Sequence, residues 1–296
     1  MANGKPKRQR YFWLVLGALA LLLLSLGTAF QLGYRPRPLR IEVQREIFQG
    51  VTYFRSVRQE PRPVVVHGVW VDLRQAGISL FVTPGEDDSE LPFKARTTAQ
   101  FLTDFDVQVA INGDFFTPWH SKSVFWYYPH PGDAVTTLGI SASNGKIYTD
   151  KHDSARTLYF SEDNQASFGE PEGAIAQAIS GNLWLVNHGR VSPDIPSDQP
   201  EPRTAIGLDQ DRNRLLLVVV DGRQARYSEG VTMLELAEIL LGYGAYEAIN
   251  LDGGGSSTLV MSGWFGLPVT LSSPIDSGIP GRQRPVANHL GVFARR

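Results

Sequence analysis

Short apolar runs rich in β-branched residues recur along most of the chain, and turn-forming residues separate them. Seven of these runs are predicted to be strands: 64–73, 77–82, 107–111, 205–208, 215–220, 248–251 and 290–294. Helical periodicity is much rarer. The pattern therefore predicts an α+β domain that is rich in strands, with a mixed sheet and a few helices.

Two segments are predicted to be helices. Residues 97–104 form a short candidate. Residues 232–241 form a stronger one, because Thr232 followed by Glu235 fits a capping box and Gly242 with Gly244 supplies a stop. The apolar side chains expected on one face of this helix are Leu234, Ala237 and Leu241, joined by Met233 and Leu240.

Three predicted strands end in an Asn or Asp next to glycine. The helix at 232–241 lies between strands 214–220 and 248–251, an order that favours a right-handed crossover joining parallel strands. Parallel strands finish at the same sheet edge, so Asp221 and Asp252 are expected to be neighbours there. The strand at 107–111 ends similarly, in Asn112-Gly113-Asp114. Such strand ends often bind ligands, although ordinary turns use the same residues.

The N-terminal segment carries an uncharged apolar stretch. Residues 11–33 are predicted to form a transmembrane signal anchor, long enough to cross roughly 30 Å of hydrocarbon. The segment before it, residues 1–10, is basic and is expected to stay cytoplasmic, Lys5 included. This orientation places the large C-terminal part of the chain outside the membrane. Gly27 and Ala29 would also fit a cleavage site, so a cleaved signal peptide stays an alternative. Residues 34–59 are interpreted as a tether, at Arg35–Arg40, followed by an entry segment, and 60–296 as the exported domain.

Charge and composition narrow the function. Residues 1–45 hold eight Lys and Arg against one Glu, and the rest of the chain is acidic. An acidic domain argues against nucleic acid as a partner, because nucleic-acid binding needs a basic face. The chain has no cysteine, which excludes disulfides, thiolate metal sites and cysteine nucleophiles.

The run 250–257 (NLDGGGSS) is the strongest candidate for a ligand site. Its three glycines could turn backbone amides inward as an anion-binding nest, and Ser256 adds a hydroxyl donor. No lysine with Walker spacing follows, so a nucleotide P-loop is excluded. Arg203, which lies just before a predicted strand, could hold a phosphate in a bidentate way or form a structural ion pair.

Carboxylates and aromatic residues complete the candidate chemistry. Asp114, Asp221 and Asp252 could act in acid–base or nucleophilic catalysis at a sugar, or hold a divalent cation such as Ca²⁺ or Mg²⁺. The residues do not separate these roles, and no zinc site is assigned. Aromatic residues that could stack on a sugar, or simply fold onto their own core, follow Asp114: Phe115, Phe116, Trp119, Phe125, Trp126, Tyr127 and Tyr128.

Seven motifs in a fixed order resemble the phosphodiester glycosidase family over roughly residues 60–295. They are INGDFF at 111–116, SG at 180–181, PRTAIG at 202–207, VDGR at 220–223, SEGVT at 228–232, NLDGGGSS at 250–257 and RPVAN at 284–288. The resemblance implies hydrolysis of a sugar that is linked through its anomeric carbon to a phosphodiester. It also implies that Asp114, Arg203, Asp221, Asn250 and Asp252 line the site. Unlike lysosomal members, this chain lacks cysteine, which favours a bacterial protein.

We therefore predict a membrane-anchored, extracytoplasmic hydrolase that acts on a sugar-phosphate or polysaccharide, in the cell envelope or in an exopolysaccharide. The predicted catalytic residues are Asp252, Asp221, Asp114 and Arg203. The predicted substrate-binding residues are Asn112, Gly113, Arg223, Ser228, Asn250, Gly253, Gly254, Gly255 and Ser256. Two alternatives remain open at this point: a non-catalytic module that binds an anionic glycan, and a metal-dependent phosphodiesterase that cleaves the P–O bond.

Overall fold

A computed structural model describes residues 7–33, 37–87, 89–123, 126–150, 156–169 and 173–296. The chain divides into two compact units, Met1–Arg37 and Pro38–Arg296. Three residues singled out above, Lys5, Arg35 and Phe125, lie outside the described residues.

The first unit contains one helix, α1 (Lys7–Gly33). The helix that was expected over residues 11–33 is therefore present. Within the part of the chain that the structure describes, however, no helix is both long enough and apolar enough to cross a membrane. The transmembrane span predicted for residues 11–33, and with it the bilayer as a partner, is not supported by the structure.

In its described residues, the second unit is built of strands with two α-helices. The helices are α2 (Thr98–Asp104) and α3 (Met233–Gly242). The strands of the first half are β1 (Val43–Phe48), β2 (Val51–Arg58), β3 (Val64–Asp72), β4 (Ser79–Val82), β5 (Phe93–Lys94), β6 (Val109–Asn112), β7 (Phe116–Thr117), β8 (His120–Ser121), β9 (Tyr127–Tyr128), β10 (Ala134–Thr137), β11 (Ser141–Ser143) and β12 (Lys146–Thr149). Those of the second half are β13 (Arg156–Phe160), β14 (Ala166–Phe168), β15 (Gln177–Gly181), β16 (Leu183–Asn187), β17 (Arg190–Val191), β18 (Arg203–Leu208), β19 (Arg214–Val220), β20 (Glu247–Asn250), β21 (Leu259–Ser262), β22 (Pro268–Thr270), β23 (Ile275–Asp276), β24 (Ile279–Pro280) and β25 (His289–Phe293).

Three sheets of five or more strands make up the domain. The largest has the order β1-β2-β3-β19-β18-β20-β16-β17. Two five-stranded sheets have the orders β22-β21-β6-β25-β4 and β12-β11-β15-β13-β14. The main hydrophobic core contains residues of the large sheet and of both five-stranded sheets, for example Leu217, Ile111 and Ile179.

Strand β19 is apolar at consecutive positions because both of its faces are buried. Leu215, Leu217 and Val219 point into the main core. Leu216, Val218 and Val220 point to the other face, where α3 packs. A strand that is buried on both faces has no solvent side, so it reads as a continuous apolar run and not as an alternation.

Helix α3 begins as predicted but buries a different face. Thr232 is the N-cap, and its capping box with Glu235 is present. The buried side chains are Leu236, Ala237, Ile239 and Leu240. Leu234 and Leu241, expected in the core, are 48% and 36% exposed. The predicted face is therefore confirmed at Ala237 and Leu240 and wrong at Leu234 and Leu241. Because α3 is apolar nearly all round, the sequence alone does not select one stripe.

Two predictions of organisation need correction. Residues 34–59 are not only a tether, since β1 and β2 form the edge of the large sheet there. Strands β19 and β20 are not neighbours, because β18 lies between them and pairs antiparallel with both. They therefore run parallel to each other, as predicted, but Asp221 and Asp252 end up about two strand spacings, roughly 10 Å, apart.

Candidate active site

A cavity of about 470 Å³ opens where β18 and β20 reach the edge of the large sheet. It combines cationic, acidic, amide and aromatic groups. We call it the arginine cavity. Its lining residues are Phe115, Phe116, Trp119, Asn182, Glu201, Arg203, Arg223, Met233, Asn250, Asp252, Gly253, Gly254, Gly255 and Arg284.

Asn112 connects three chain segments next to this cavity. Its Nδ2 donates a 2.7 Å hydrogen bond to the backbone carbonyl of Asp252. Its Oδ1 accepts hydrogen bonds from Thr204 Oγ1 and from the Thr258 amide, both at 3.0 Å. The side chain is fully buried. Asn112 therefore joins three segments around the site and does not itself face a ligand, unlike the predicted substrate-binding role.

Gly113 and Asp114 also support the site from behind. The Gly113 carbonyl accepts a 3.0 Å hydrogen bond from the Asp252 amide. The Asp114 carboxylate accepts 2.7 Å hydrogen bonds from the amides of Phe115 and Gly139, and the residue is 3% exposed. Burial raises the pKa of Asp114 to about 8, and the nearby Asp252 charge adds to the rise. Neither residue lines the cavity.

Asp252 faces the cavity at the end of β20, and Glu201 is the other carboxylate among the lining residues. Burial raises its pKa to about 6, which a hydrogen bond from Ser256 and the charge of Arg284 partly offset. A carboxyl group with such a pKa can both accept and donate a proton near neutral pH. The catalytic role predicted for Asp252 is consistent with its position.

Two of the three glycines in the run 250–257 make room for arginines. A methyl group on Gly253 would instead meet the carbonyl oxygen of Pro202 at 2.9 Å. One on Gly254 would lie 3.2 Å from Nη2 of Arg223, and one on Gly255 would overlap Arg284. Two amides of the expected nest are used within the protein, because the Gly254 amide donates to Pro202 O and the Ser256 amide to Gly253 O. Arg223 and Arg284 add cationic groups beside this run.

Each of the three arginines is oriented by a carboxylate. Arg203 forms an ion pair with Asp198 and donates from Nε to Val231 O at 3.0 Å. Arg223 pairs with Glu201. Arg284 donates from Nε to Asp276 Oδ1 at 2.9 Å and from Nη1 to Ser256 Oγ at 3.3 Å. Guanidinium groups fixed in this way are suited to bidentate binding of phosphate oxygens.

Part of the aromatic cluster forms one wall of the cavity. Phe115, Phe116 and Trp119 line it, and the guanidinium of Arg284 lies 4.7 Å from the centroid of a Trp119 ring. Trp119 is 49% exposed. Tyr127 instead contacts Arg282. The other described aromatic residues of this segment are also not among the residues that line the cavity. A partly exposed indole next to cations is typical of a surface on which a sugar ring can stack.

Asp221 and Ser228 do not face the cavity. The Asp221 carboxylate is 2% exposed and accepts hydrogen bonds from His67 Nε2, Tyr227 Oη and the Ser273 amide. The Ser228 hydroxyl donates to Asp221 O at 2.6 Å and accepts from the Val65 amide at 2.9 Å. Both side chains form their hydrogen bonds with protein groups in a buried network. The catalytic role predicted for Asp221 and the binding role predicted for Ser228 are not supported by their positions.

Asn250 lines the cavity as predicted and keeps one hydrogen-bonding atom free. Its Nδ2 donates to Asn182 Oδ1 at 2.8 Å. Among the described residues its buried Oδ1 has no partner. A buried acceptor without a partner is costly unless a ligand or water supplies a donor, so Asn250 is placed to bind a substrate hydroxyl or amide.

The predicted aspartates do not gather around a cation. Within the described part of the chain, no group of three or more His, Asp or Glu side chains is arranged to hold a metal ion. Asp114 and Asp221 are each occupied by amide or side-chain donors, as given above. The Ca²⁺ or Mg²⁺ site considered from the sequence therefore has no ligand set among these residues.

Sequence reasoning missed several lining residues: Asn182, Glu201, Met233 and Arg284. Arg284 lies within the motif at 284–288, and Glu201 stands two residues before Arg203, so both are adjacent to residues that the sequence had already indicated. Both residues lie near the run 250–257 because tertiary packing brings together segments that are far apart in sequence. Asn182 and Met233 had no local signal that could have distinguished them from ordinary loop and helix residues.

Comparisons with known proteins point in one direction. The family model described as phosphodiester glycosidase matches residues 105–293. The human N-acetylglucosamine-1-phosphodiester alpha-N-acetylglucosaminidase is 29% identical over 180 residues, which are 53% of this chain and 32% of that protein. The SPbeta prophage-derived uncharacterized protein YomE of Bacillus subtilis (strain 168) is 23% identical over 219 residues, 64% of this chain and 34% of that protein. The chain thus covers about a third of the length of these curated relatives.

Two solved structures share the fold. The zebrafish N-acetylglucosamine-1-phosphodiester alpha-N-acetylglucosaminidase catalytic domain, auto-inhibited by its pro-peptide, superposes with a TM-score of 0.57 and 22% identity, over 86% of this chain and 88% of that chain. A hypothetical protein from Synechocystis gives a TM-score of 0.53 and 16% identity, over 87% of this chain and 64% of that chain. These likenesses show the fold.

Proposed function

The chain belongs to the phosphodiester glycosidase family, and on that premise we propose that it hydrolyses a glycosyl phosphodiester at the bond between the anomeric carbon and oxygen. The observation that carries this proposal is one cavity that holds three oriented arginines, a single carboxylate of raised pKa beside them, and an aromatic wall. The arginines suit a phosphate, and the aromatic wall suits a sugar.

The chemistry divides between these groups. Cleavage of the C–O bond releases a phosphomonoester, whose charge Arg203, Arg223 and Arg284 are placed to stabilise. Because phosphate is a good leaving group, the reaction needs little acid assistance. Asp252 either removes a proton from the attacking water or attacks the anomeric carbon itself. In both cases the ionised form of Asp252 is the reactive one.

The substrate follows in part from the same groups. Asn250 offers an acceptor for a hydroxyl or amide N–H of the sugar, and Trp119 offers an apolar face for its ring. The human and zebrafish relatives are named as N-acetylglucosamine-1-phosphodiester alpha-N-acetylglucosaminidases, and we propose a substrate of that general kind. The envelope or exopolysaccharide context and the extracytoplasmic location remain predictions.

Hydrolysis in ¹⁸O-labelled water tests the proposal directly. The full chain is incubated with a panel of glycosyl phosphodiesters, and the products are analysed by mass spectrometry. Label in the free sugar is expected. Label in the phosphate would show a phosphodiesterase that cleaves P–O, and binding without turnover would show a glycan-binding module. Full activity of both Asp252→Asn and Arg203→Ala, with normal folding, would also overturn the site assignment.

A further inference from the structure

A second depression lies next to the arginine cavity. It has a volume of about 400 Å³ and is formed by the loop after β17 and the first turn of α3. We call it the aliphatic groove, after Pro193, Ile195, Pro196 and Leu234, which line it. Ser192, Ser197, Asp198 and Thr232 complete the lining. Nothing in the chemistry proposed above uses this groove.

The groove and the arginine cavity share a wall. Asp198 lines the groove and pairs with Arg203, which lines the cavity. Asp198 Oδ1 also accepts a 3.0 Å hydrogen bond from the amide of Met233. Met233 lines the cavity, and the next residue, Leu234, lines the groove. A phosphate held by Arg203 would therefore be separated from the groove by a single ion pair, so a group attached to that phosphate needs to pass only the Asp198–Arg203 pair to reach it.

The two depressions differ in the chemistry of their walls. The arginine cavity contains three aromatic side chains that suit a sugar ring. Among the described residues that line the groove, none is aromatic, and the apolar ones are aliphatic. Leu234 stands at the groove with 48% of its surface exposed, on a helix that packs by its opposite face. An aliphatic surface of this kind matches a hydrocarbon chain better than a sugar.

We infer that the aliphatic groove receives the group on the far side of the phosphate, and that this group carries a hydrocarbon chain. The inference rests on the proposed function, which places the phosphate at the arginines and the sugar at the aromatic wall. It makes the substrate a glycosyl phosphodiester of a lipid-like alcohol. Leu234 and Ile195 then determine specificity for that alcohol and take no part in bond cleavage.

Binding measurements test the groove without requiring turnover. Isothermal titration calorimetry compares methyl phosphate, octyl phosphate below its micelle concentration, and glucose 6-phosphate on the full chain. We expect octyl phosphate to bind at least about tenfold more tightly than methyl phosphate, because burial of methylene groups is favourable. Equal affinity of the two alkyl phosphates, or a gain for glucose 6-phosphate alone, would overturn the inference.

Two matched variants locate the effect. Leu234→Ser should remove the advantage of the octyl chain and leave methyl phosphate binding unchanged. Leu241→Ser, on the same helix but away from the groove and 36% exposed in the native chain, should keep the advantage. If Leu241→Ser lost it as well, or Leu234→Ser kept it, the groove would not be the binding site.

Kinetics separate failure of the inference from failure of the proposed function. The full chain is assayed on methyl and octyl glycosyl phosphodiesters with the same sugar. A lower KM for the octyl substrate, abolished by Leu234→Ser, supports both. Hydrolysis with equal KM values leaves the proposed function standing and rejects the groove. Tighter binding of octyl phosphate without hydrolysis of either substrate rejects the function and retains the groove.

Discussion

Gly255 and the guanidinium of Arg284 are in such close contact that a methyl group on Gly255 would overlap Nη2 of Arg284. Glycine is therefore required at position 255, because Arg284 occupies the space that a larger side chain would need. The same holds, less tightly, for Gly254 and Arg223 at 3.2 Å. A glycine-rich run that looked like a phosphate-binding loop in sequence instead accommodates cationic side chains that the fold brings from elsewhere.

Gly255→Ala is expected to displace Arg284 and to lower kcat/KM by about 100-fold, the order of loss for removal of one stabilising donor. Steady-state kinetics on a glycosyl phosphodiester provide the measurement. Gly242→Ala is the matched control, since a methyl group there meets nothing within 4 Å. Unchanged activity in Gly255→Ala would show that Arg284 does not act on the substrate.

Arg284 and Arg282 offer a second matched pair, because both bind Asp276 and both stack on an aromatic ring. Only Arg284 lines the cavity. Lysine keeps the charge but loses the planar fork, so Arg284→Lys should lower kcat/KM by roughly 10- to 100-fold. Arg282→Lys should change it less than about threefold. Equal losses in the two variants would point to a purely structural effect through Asp276.

Asp252→Asn should lower kcat by about 1,000-fold, within the range for loss of a catalytic acid or base. Its melting temperature should be equal or higher at pH 8, because the neutral amide avoids the cost of burying a charge. Differential scanning calorimetry and a single-turnover assay provide the two measurements. A large loss of stability together with the loss of activity would indicate a structural role for Asp252.

The same residue should set the acid limb of the pH profile. The pKa of Asp252 is raised to about 6 by burial, and the ionised form is the reactive one. We therefore expect kcat/KM to fall about tenfold per pH unit below pH 6 and to level off above it. A profile that stays flat from pH 4 to pH 8 would exclude Asp252 as the group that must be ionised.

The sequence predicted much of the strand framework because apolar runs and turn residues are local signals. All seven predicted strands and both predicted helices occur, and Thr232 caps its helix as expected. The pairing order was not predictable, because β18 inserts between β19 and β20 through contacts of long sequence separation. For the same reason Asp221, which stands in a motif resembling those of Asp114 and Asp252, could not be recognised as a buried structural residue.

Asn112 illustrates a site residue whose role the sequence could not specify. It makes three hydrogen bonds to segments that are distant in sequence. Asn112→Asp removes the donor to Asp252 and buries a charge, so the free energy of unfolding should fall by roughly 3 kcal/mol. Urea unfolding provides the value. Asn187→Asp, at an exposed position, is the control and should change it by less than about 0.5 kcal/mol.

Asp114 should make the stability of the domain depend on pH. Its pKa is raised by burial from 3.8 to about 8 in the folded chain. The folded state therefore holds the proton more tightly than the unfolded state does. The stabilisation is fully present below about pH 4, near the unfolded pKa, and is lost as the pH rises toward 8.

Asp114→Asn removes this titration, so the comparison of the two proteins isolates it. The free energy of unfolding of the variant minus that of the native chain should increase between pH 4 and pH 8, with a slope of at most roughly 1.4 kcal/mol per pH unit. Urea unfolding at one-unit intervals gives the difference. At pH 4 the protonated carboxyl of Asp114 still offers an oxygen to each of its two amide donors, whereas the Asn side chain offers only one oxygen, so the variant should start out less stable. The rise with pH is what identifies the buried carboxyl, and a constant difference across the range would place the pKa of Asp114 at its ordinary value.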